Sequence, residues 1–156
     1  MHDPVDTLEV FYAYALAMES EAAERYREFA RHFASRGEPL LCALCDMLAK
    51  MEAGHHAELS RAAEAVVAPV PEPQAGRSGD AAESGPREAF YRIRNPEQLL
   101  LIALDGELRA QRFFEWAARA SPDPAVRSLA TQMAREEARH VGWISDAIAL
   151  HRPLRA

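Results

Sequence analysis

Cysteine is scarce in this sequence: Cys42 and Cys45 are the only two among 156 residues. Two thiols cannot furnish a four-cysteine iron or zinc site, and they do not make the disulfide framework of a small secreted domain. A reducing compartment fits that usage. No apolar run approaches the length of a membrane span, and Met1-His2-Asp3-Pro4 has neither a basic n-region nor an apolar h-region. The expectation is a cytoplasmic protein with no membrane partner. Positive charge is also short. The formal net charge is -6, the pI is about 5.5 and the arginines are scattered, so nothing offers a field for a phosphate backbone and nucleic acid is not an expected partner. Strand-like alternation of apolar and polar residues is missing as well.

What the sequence does hold is helical periodicity, in a length sufficient for one domain over residues 1–156 with a full core. Asp3-Pro4 or Asp6-Thr7 can cap a first helix over about 4–35, stopped by Arg36-Gly37. Pro39 suits the first turn of a second helix over 39–66. Asn95-Pro96-Glu97-Gln98 reads as cap, first helical residue and capping-box partner of a third over 96–119, and Asp123-Pro124 opens a fourth over 124–151. Between the second and third lies a crossover of about 68–95, whose stretch from Ala68 to Pro86 is rich in proline and glycine and has no apolar period. Two short links and one long one predict an all-α fold: an antiparallel four-helix bundle with a single crossover connection.

Alternating steps of three and four residues trace one face of each helix. The faces run Leu8, Tyr12, Ala15, Glu19, Ala22, Tyr26, Phe29, Phe33; then Leu41, Cys45, Leu48, Glu52, His55, Leu59, Ala62; then Leu100, Ala103, Glu107, Ala110, Phe114, Ala117; then Val126, Ala130, Met133, Glu137, His140, Ile144, Ala147. Each apolar stripe is interrupted near its middle by glutamate, twice followed by histidine three residues on. Up-down packing would bring all six polar residues into one layer. The halves echo each other, with 33 residues from Glu19 to Glu52 and 30 from Glu107 to Glu137.

With 17 glutamates and 6 histidines in 156 positions, chance gives roughly 0.7 Glu-x-x-His pairs, so one would mean little and two on stripe mean much more. Residues three apart stand one above the other on a helix, so a carboxylate and an imidazole can grip the same ion. An unpartnered buried carboxylate costs several kcal/mol or more, and four of them call for cations. Two divalent ions would balance four glutamates with the histidines neutral. Oxygen and imidazole donors suit iron or manganese and accept zinc. The plain alternative is a bundle with buried ion pairs or misassigned faces.

The set Glu19, Glu52-x-x-His55, Glu107, Glu137-x-x-His140 resembles the di-iron carboxylate proteins of the ferritin-like superfamily, and among them the rubrerythrin-like members most. The likeness is carried by Ala17-Met18-Glu19-Ser20-Glu21-Ala22-Ala23-Glu24-Arg25-Tyr26, by Leu48-Ala49-Lys50-Met51-Glu52-Ala53-Gly54-His55 and by Met133-Ala134-Arg135-Glu136-Glu137-Ala138-Arg139-His140. It covers the four helices and not the crossover. It implies two irons held by Glu19, Glu52, His55, Glu107, Glu137 and His140, with Glu52 and Glu137 as bridges. It also implies an oxidoreductase of oxidase or peroxidase type that reacts with dioxygen or hydrogen peroxide in oxidative stress. The alternative within that likeness is a protein that oxidises, stores or delivers iron in a larger assembly. Two departures stand out. Ala110 replaces the second helix-three glutamate of typical rubrerythrins, and the four cysteines of a rubredoxin-like site are not in this sequence. Electrons would come from a donor protein or small reductants.

Other residues carry two readings each. Tyr26 could orient a ligand carboxylate or simply fill the core, and its counterpart seven residues after Glu107 is Phe114. Cys42-x-x-Cys45 could be a redox pair or, more simply, small core residues. His56 and Glu136 lie about 100° off the stripe, facing solvent or supporting the ligands, with replacement of the neighbouring ligand as the other reading. Phe11, Leu101, Phe113 and Trp143 are apolar beyond what one stripe per helix buries, which predicts a homodimer.

Overall fold

The computed structural model describes residues 7–66, 90–92 and 94–151. Four long helices form, and no strand occurs among the described residues: α1 (Leu8–Ser35), α2 (Pro39–Val66), α3 (Pro96–Ala120) and α4 (Pro124–His151). The boundaries have local causes. Thr7 is the N-cap of α1, its hydroxyl accepting from the Val10 amide at 3.1 Å, so of the two expected caps this one operates; an earlier start, at about residue 4, falls outside the described residues. Gly37 closes α1 in the left-handed region at φ 70°. There its amide reaches Ala34 O at 3.3 Å and the Glu38 amide reaches Phe33 O at 2.9 Å, the paired bonds of a Schellman turn that needs glycine. Asn95 and Gln98 complete a reciprocal capping box at the head of α3, and Asp123 Oδ1 accepts from the Ala125 amide at 2.8 Å at the head of α4. The expected crossover lies mostly outside the described residues, apart from a helical stretch at 90–92.

Three-residue links fold α1 back on α2 and α3 back on α4. The two hairpins meet α1 against α3 and α2 against α4. Phe11 near the start of α1 stacks on Phe113 late in α3 at 5.8 Å, whereas Phe29 and Phe33 share a cluster with Leu99 and Leu100 at the start of α3, so that pair too runs antiparallel. Apolar residues gather in two clusters. One holds Phe29, Phe33, Leu48, Leu99 and Ile144; the other holds Phe11, Tyr12, Leu59, Phe114 and Met133. Between them lies a polar layer.

The buried faces are wider than a single stripe, as expected where helices pack on two neighbours each. Phe11, Ala23, Ala30, Ala49, Leu99, Ala134 and Ile148 are buried beside the predicted positions, while Leu8, Ala22, Ala62 and Ala110 are only half-buried. Phe11 corrects one expectation. It is 1% exposed within a single chain, so it offers nothing to a second copy; Leu101 and Tyr14 are apolar or aromatic residues left on the surface. No described helix is long and apolar enough to cross a membrane.

Candidate metal centre

The polar layer is made by helix position alone. Seven polar or charged residues are buried among those described; one is Ser121 and the other six are Glu19, Glu52, His55, Glu107, Glu137 and His140. Sequence reasoning singled out these six, and the structure brings all of them together.

Their donor atoms form two overlapping groups. Glu19, Glu52, His55 and Glu137 make one, Glu52, Glu107, Glu137 and His140 the other, with the donor atoms in each group within 4.8 Å of one another. Glu52 and Glu137 belong to both. Glu137 turns Oε1 to His55 Nδ1 at 3.3 Å and Oε2 to His140 Nδ1 at 3.6 Å. Glu52 Oε1 lies 2.6 Å from His140 Nδ1 and 4.0 Å from His55 Nδ1. Glu19 stands on the His55 side at 3.5 Å and Glu107 on the His140 side at 3.5 Å.

None of these approaches has the distance and alignment of a hydrogen bond. Among the described residues, eight buried side-chain nitrogen and oxygen atoms lack a hydrogen-bond partner, and all belong to Glu19, Glu52, His55, Glu137 and His140. Orphaned buried polar atoms are rare in folded proteins because each costs about 1–3 kcal/mol, more when charged. Lone pairs converging on shared space are what metal ions require, so the donor set fits a metal site.

The electrostatics say the same. Burial drives the Glu19 carboxyl far above the usual range, with Glu52 and Glu137 adding to the push. Burial likewise raises Glu107, to about 9, although His140 pulls the other way. For His140 burial acts downward, but Glu107, Glu137 and Glu52 outweigh it and lift the imidazole to about 12; for His55 burial again acts downward, and Glu137 and Glu52 prevail to raise it. Burial would raise Glu137 too, yet contacts with His140 and His55 hold its carboxyl well below the usual range. Without metal, protons do the work of cations.

Two further residues and a cavity shape the site. The Tyr26 hydroxyl donates to Glu107 Oε1, so the tyrosine of α1 steadies a carboxylate of α3. Glu136, half-buried, sets Oε2 3.8 Å from His55 Nε2, on the side of the ring away from the layer. Between α1 and α3 a cavity of about 230 Å³ leads to Glu19, Glu52 and Glu107, past Ala22, Arg25, Gly106 and Ala110. Sequence reasoning missed Arg25 and Gly106; the available signal was a glycine inside a helix, where it costs about 1 kcal/mol relative to alanine. His56 is half-buried and joins none of the donor groups among the described residues. Cys45 packs in the apolar core, and burial pushes its thiol up to about 12, which suits a core filler better than a redox thiol.

Comparison with known proteins gives three findings. Residues 11–91 match the family described as Rubrerythrin, a span that takes in most of α1, all of α2 and the residues Glu19, Glu52 and His55. The crystal structure of an uncharacterized conserved protein from Magnetospirillum magnetotacticum MS-1 superimposes with a TM-score of 0.75 and 28% identity, covering 96% of this chain and 99% of that one. No curated protein matches.

Proposed function

Since this chain belongs to the rubrerythrin family, and α3 and α4 complete in space what the family match covers in α1 and α2, we propose that it is a di-iron oxidoreductase acting on dioxygen or hydrogen peroxide. The single observation that carries this reading is the dry layer of four carboxylates and two imidazoles with eight polar atoms lacking partners among the described residues. Glu19 and His55 would hold one iron, Glu107 and His140 the other, and Glu52 and Glu137 both. The chemistry such a pair of irons would supply is electron transfer to the oxidant, with a donor restoring the electrons.

The rest of the chemistry belongs to the chain. Four glutamates neutralise two divalent ions, so the loaded layer carries no net charge into the core. Tyr26 fixes the orientation of Glu107, as outer partners commonly do for ligating groups. The apolar clusters above and below keep bulk water out, and the α1–α3 cavity admits a small oxidant to the carboxylates. Ala110 widens that approach where typical rubrerythrins place a glutamate. With Cys45 buried and protonated, electrons come from outside, from a donor protein or a small reductant.

The test is metal content and near-ultraviolet and visible absorption after reconstitution with ferrous iron under nitrogen, followed by exposure to air. About two irons per chain, with new absorption on oxidation that a Glu52→Gln, Glu137→Gln double variant lacks, is the expected result. Repeated turnover with a reductant would establish the enzyme; many irons taken up per chain would indicate storage instead. Failure of every divalent ion to bind stoichiometrically would sink the reading.

A further inference from the structure

A layer that takes up two metal ions needs a route for them, because apolar clusters close it at both ends. The two flanks of the layer present different groups: besides the layer glutamates, the charged residues lining the α1–α3 cavity are Arg25, Arg109 and Glu21. On the α1–α3 flank, Arg25 stands at the cavity, half-buried and without an ion pair among the described residues, so close over Gly106 that a Cβ there would meet Nη1 at 2.7 Å. A cation approaching by this side meets a fixed positive charge in a partly desolvated setting, where Coulomb repulsion is strong.

On the α2–α4 flank a carboxylate stands beside the histidines. Glu136 lies half in solvent, 27% exposed, with Oε2 3.8 Å from His55 Nε2. The rings of His55 and His140 are parallel, 9° apart with centroids at 5.6 Å, and His140 Nε2 is fully buried with no hydrogen-bond partner among the described residues. Glu136, His55 and His140 each offer one donor atom, all within 4.8 Å of one another. Arg139 also approaches Glu136, at 3.8 Å, but it is 57% exposed, and such pairs are weak and easily displaced.

Building on the dimetal reading of the layer, we propose that Glu136, together with His55 and His140, forms a transit site for divalent cations, through which ions pass from solvent into the layer. One carboxylate and two imidazoles are suitable donors for ferrous, manganous or zinc ions. An ion held by Glu136 already touches two side chains of the inner set. Transfer is then ligand exchange: the bonds to Glu136 and to the outer imidazole nitrogens break as bonds to Glu52, Glu137 and the inward-facing nitrogen of one histidine form, and no electron moves. A carboxylate at the mouth raises the local cation concentration, and steering of this kind multiplies association rates by about 10-fold or more.

The experiment follows uptake of cobalt(II) by metal-free full-length protein in a stopped-flow instrument, with the cobalt absorption bands as signal and equilibrium titration alongside. Glu136→Gln should slow uptake about tenfold, and added salt should slow the wild type more than the variant. Arg25→Leu should leave the rate unchanged. An unslowed Glu136→Gln, or an Arg25→Leu protein that loads faster, overturns the transit site and leaves the dimetal reading standing. So does a variant with a normal uptake rate and a weakened equilibrium affinity, which is what a role confined to holding His55 would give. A wild type that binds no stoichiometric cobalt overturns the dimetal reading, and the transit site with it.

Discussion

The two hairpins of this bundle carry the same ligand pattern and treat it differently. In the α1–α2 half, Glu19 is buried with neither carboxylate oxygen hydrogen-bonded among the described residues. Its counterpart in the α3–α4 half, Glu107, accepts a hydrogen bond from Tyr26. That tyrosine belongs to α1, so the first half steadies the second half's glutamate across the bundle. The equivalent position in α3 is Phe114, which has no hydroxyl. One oxygen atom thus breaks the symmetry of the hydrogen bonds; the carboxyls differ as well, since His140 restrains Glu107 at about 9 while burial, Glu52 and Glu137 drive Glu19 far up. Near-repeated sequence halves need not give equivalent metal positions.

The largest effect should come from a residue the halves share. Glu137 contributes an oxygen to each side, so Glu137→Gln should abolish binding of both ions, whereas Glu19→Gln and Glu107→Gln should each weaken chiefly one. Stepwise calorimetric titration separates these outcomes. Retention of one tight ion in Glu137→Gln would show that the halves bind independently and that the bridge is not shared.

Next in size is the exchange of protons for metal. Glu107 holds its proton up to about pH 9 in the fold, against 4.5 for its ordinary value, and His140 to about 12 against 6.5. The folded form therefore binds more protons than the unfolded chain between those limits. This contribution to stability is complete below the ordinary values and is lost as pH rises toward the folded ones. Glu137 acts in the opposite sense, its contribution being present above its ordinary value and lost as pH falls. Metal-free protein should accordingly become less stable from neutral to alkaline pH, and metal loading at neutral pH should release more than one proton per chain. Titration in buffers of different ionisation enthalpy measures that release. A heat independent of buffer would mean that the layer is already ionised without metal.

Tyr26→Phe tests the asymmetry itself. Losing an outer partner of a ligand typically weakens metal binding about 10–100-fold, and here the loss should fall on one of the two ions. Equal weakening of both would mean that Tyr26 acts through packing and that the hydroxyl does not distinguish the halves.

The layer is legible in the sequence because helix geometry is short-range. Caps at Thr7, Asn95 and Asp123 and the glycine at 37 are local decisions, and steps of three and four residues are enough to place six polar side chains on inward faces. What stays hidden depends on how two helices meet. Phe11 is buried because Phe113 of α3 covers it, and Arg25 lies over Gly106 because that glycine offers no Cβ to push it away. Off the stripe, Glu136 reads either as a solvent residue or as a support for the ligands, and it lies within 4 Å of an imidazole because α2 runs alongside α4 at that level. Period fixes the face of a helix; the partner across the interface fixes what that face touches.

The smallest expected effect is the most specific. If the missing hydroxyl at 114 is what sets Glu19 apart, Phe114→Tyr should supply it, and the two ions should become more alike in affinity. The gain has two opposing parts. In the metal-free protein burial keeps Glu19 protonated, so a hydrogen bond to it contributes about 0.5–1.5 kcal/mol, while a buried hydroxyl that misses its acceptor costs about 1–3 kcal/mol, and the sign of the stability change reports whether the oxygen reaches Glu19. Success is a metal-free protein no less stable than wild type, a Glu19 carboxyl titrating closer to its ordinary value by carbon-13 NMR, and a narrower gap between the two binding constants. Destabilisation with the gap unchanged would place the origin of the asymmetry in the backbone positions of α1 and α3, beyond the reach of a single side chain.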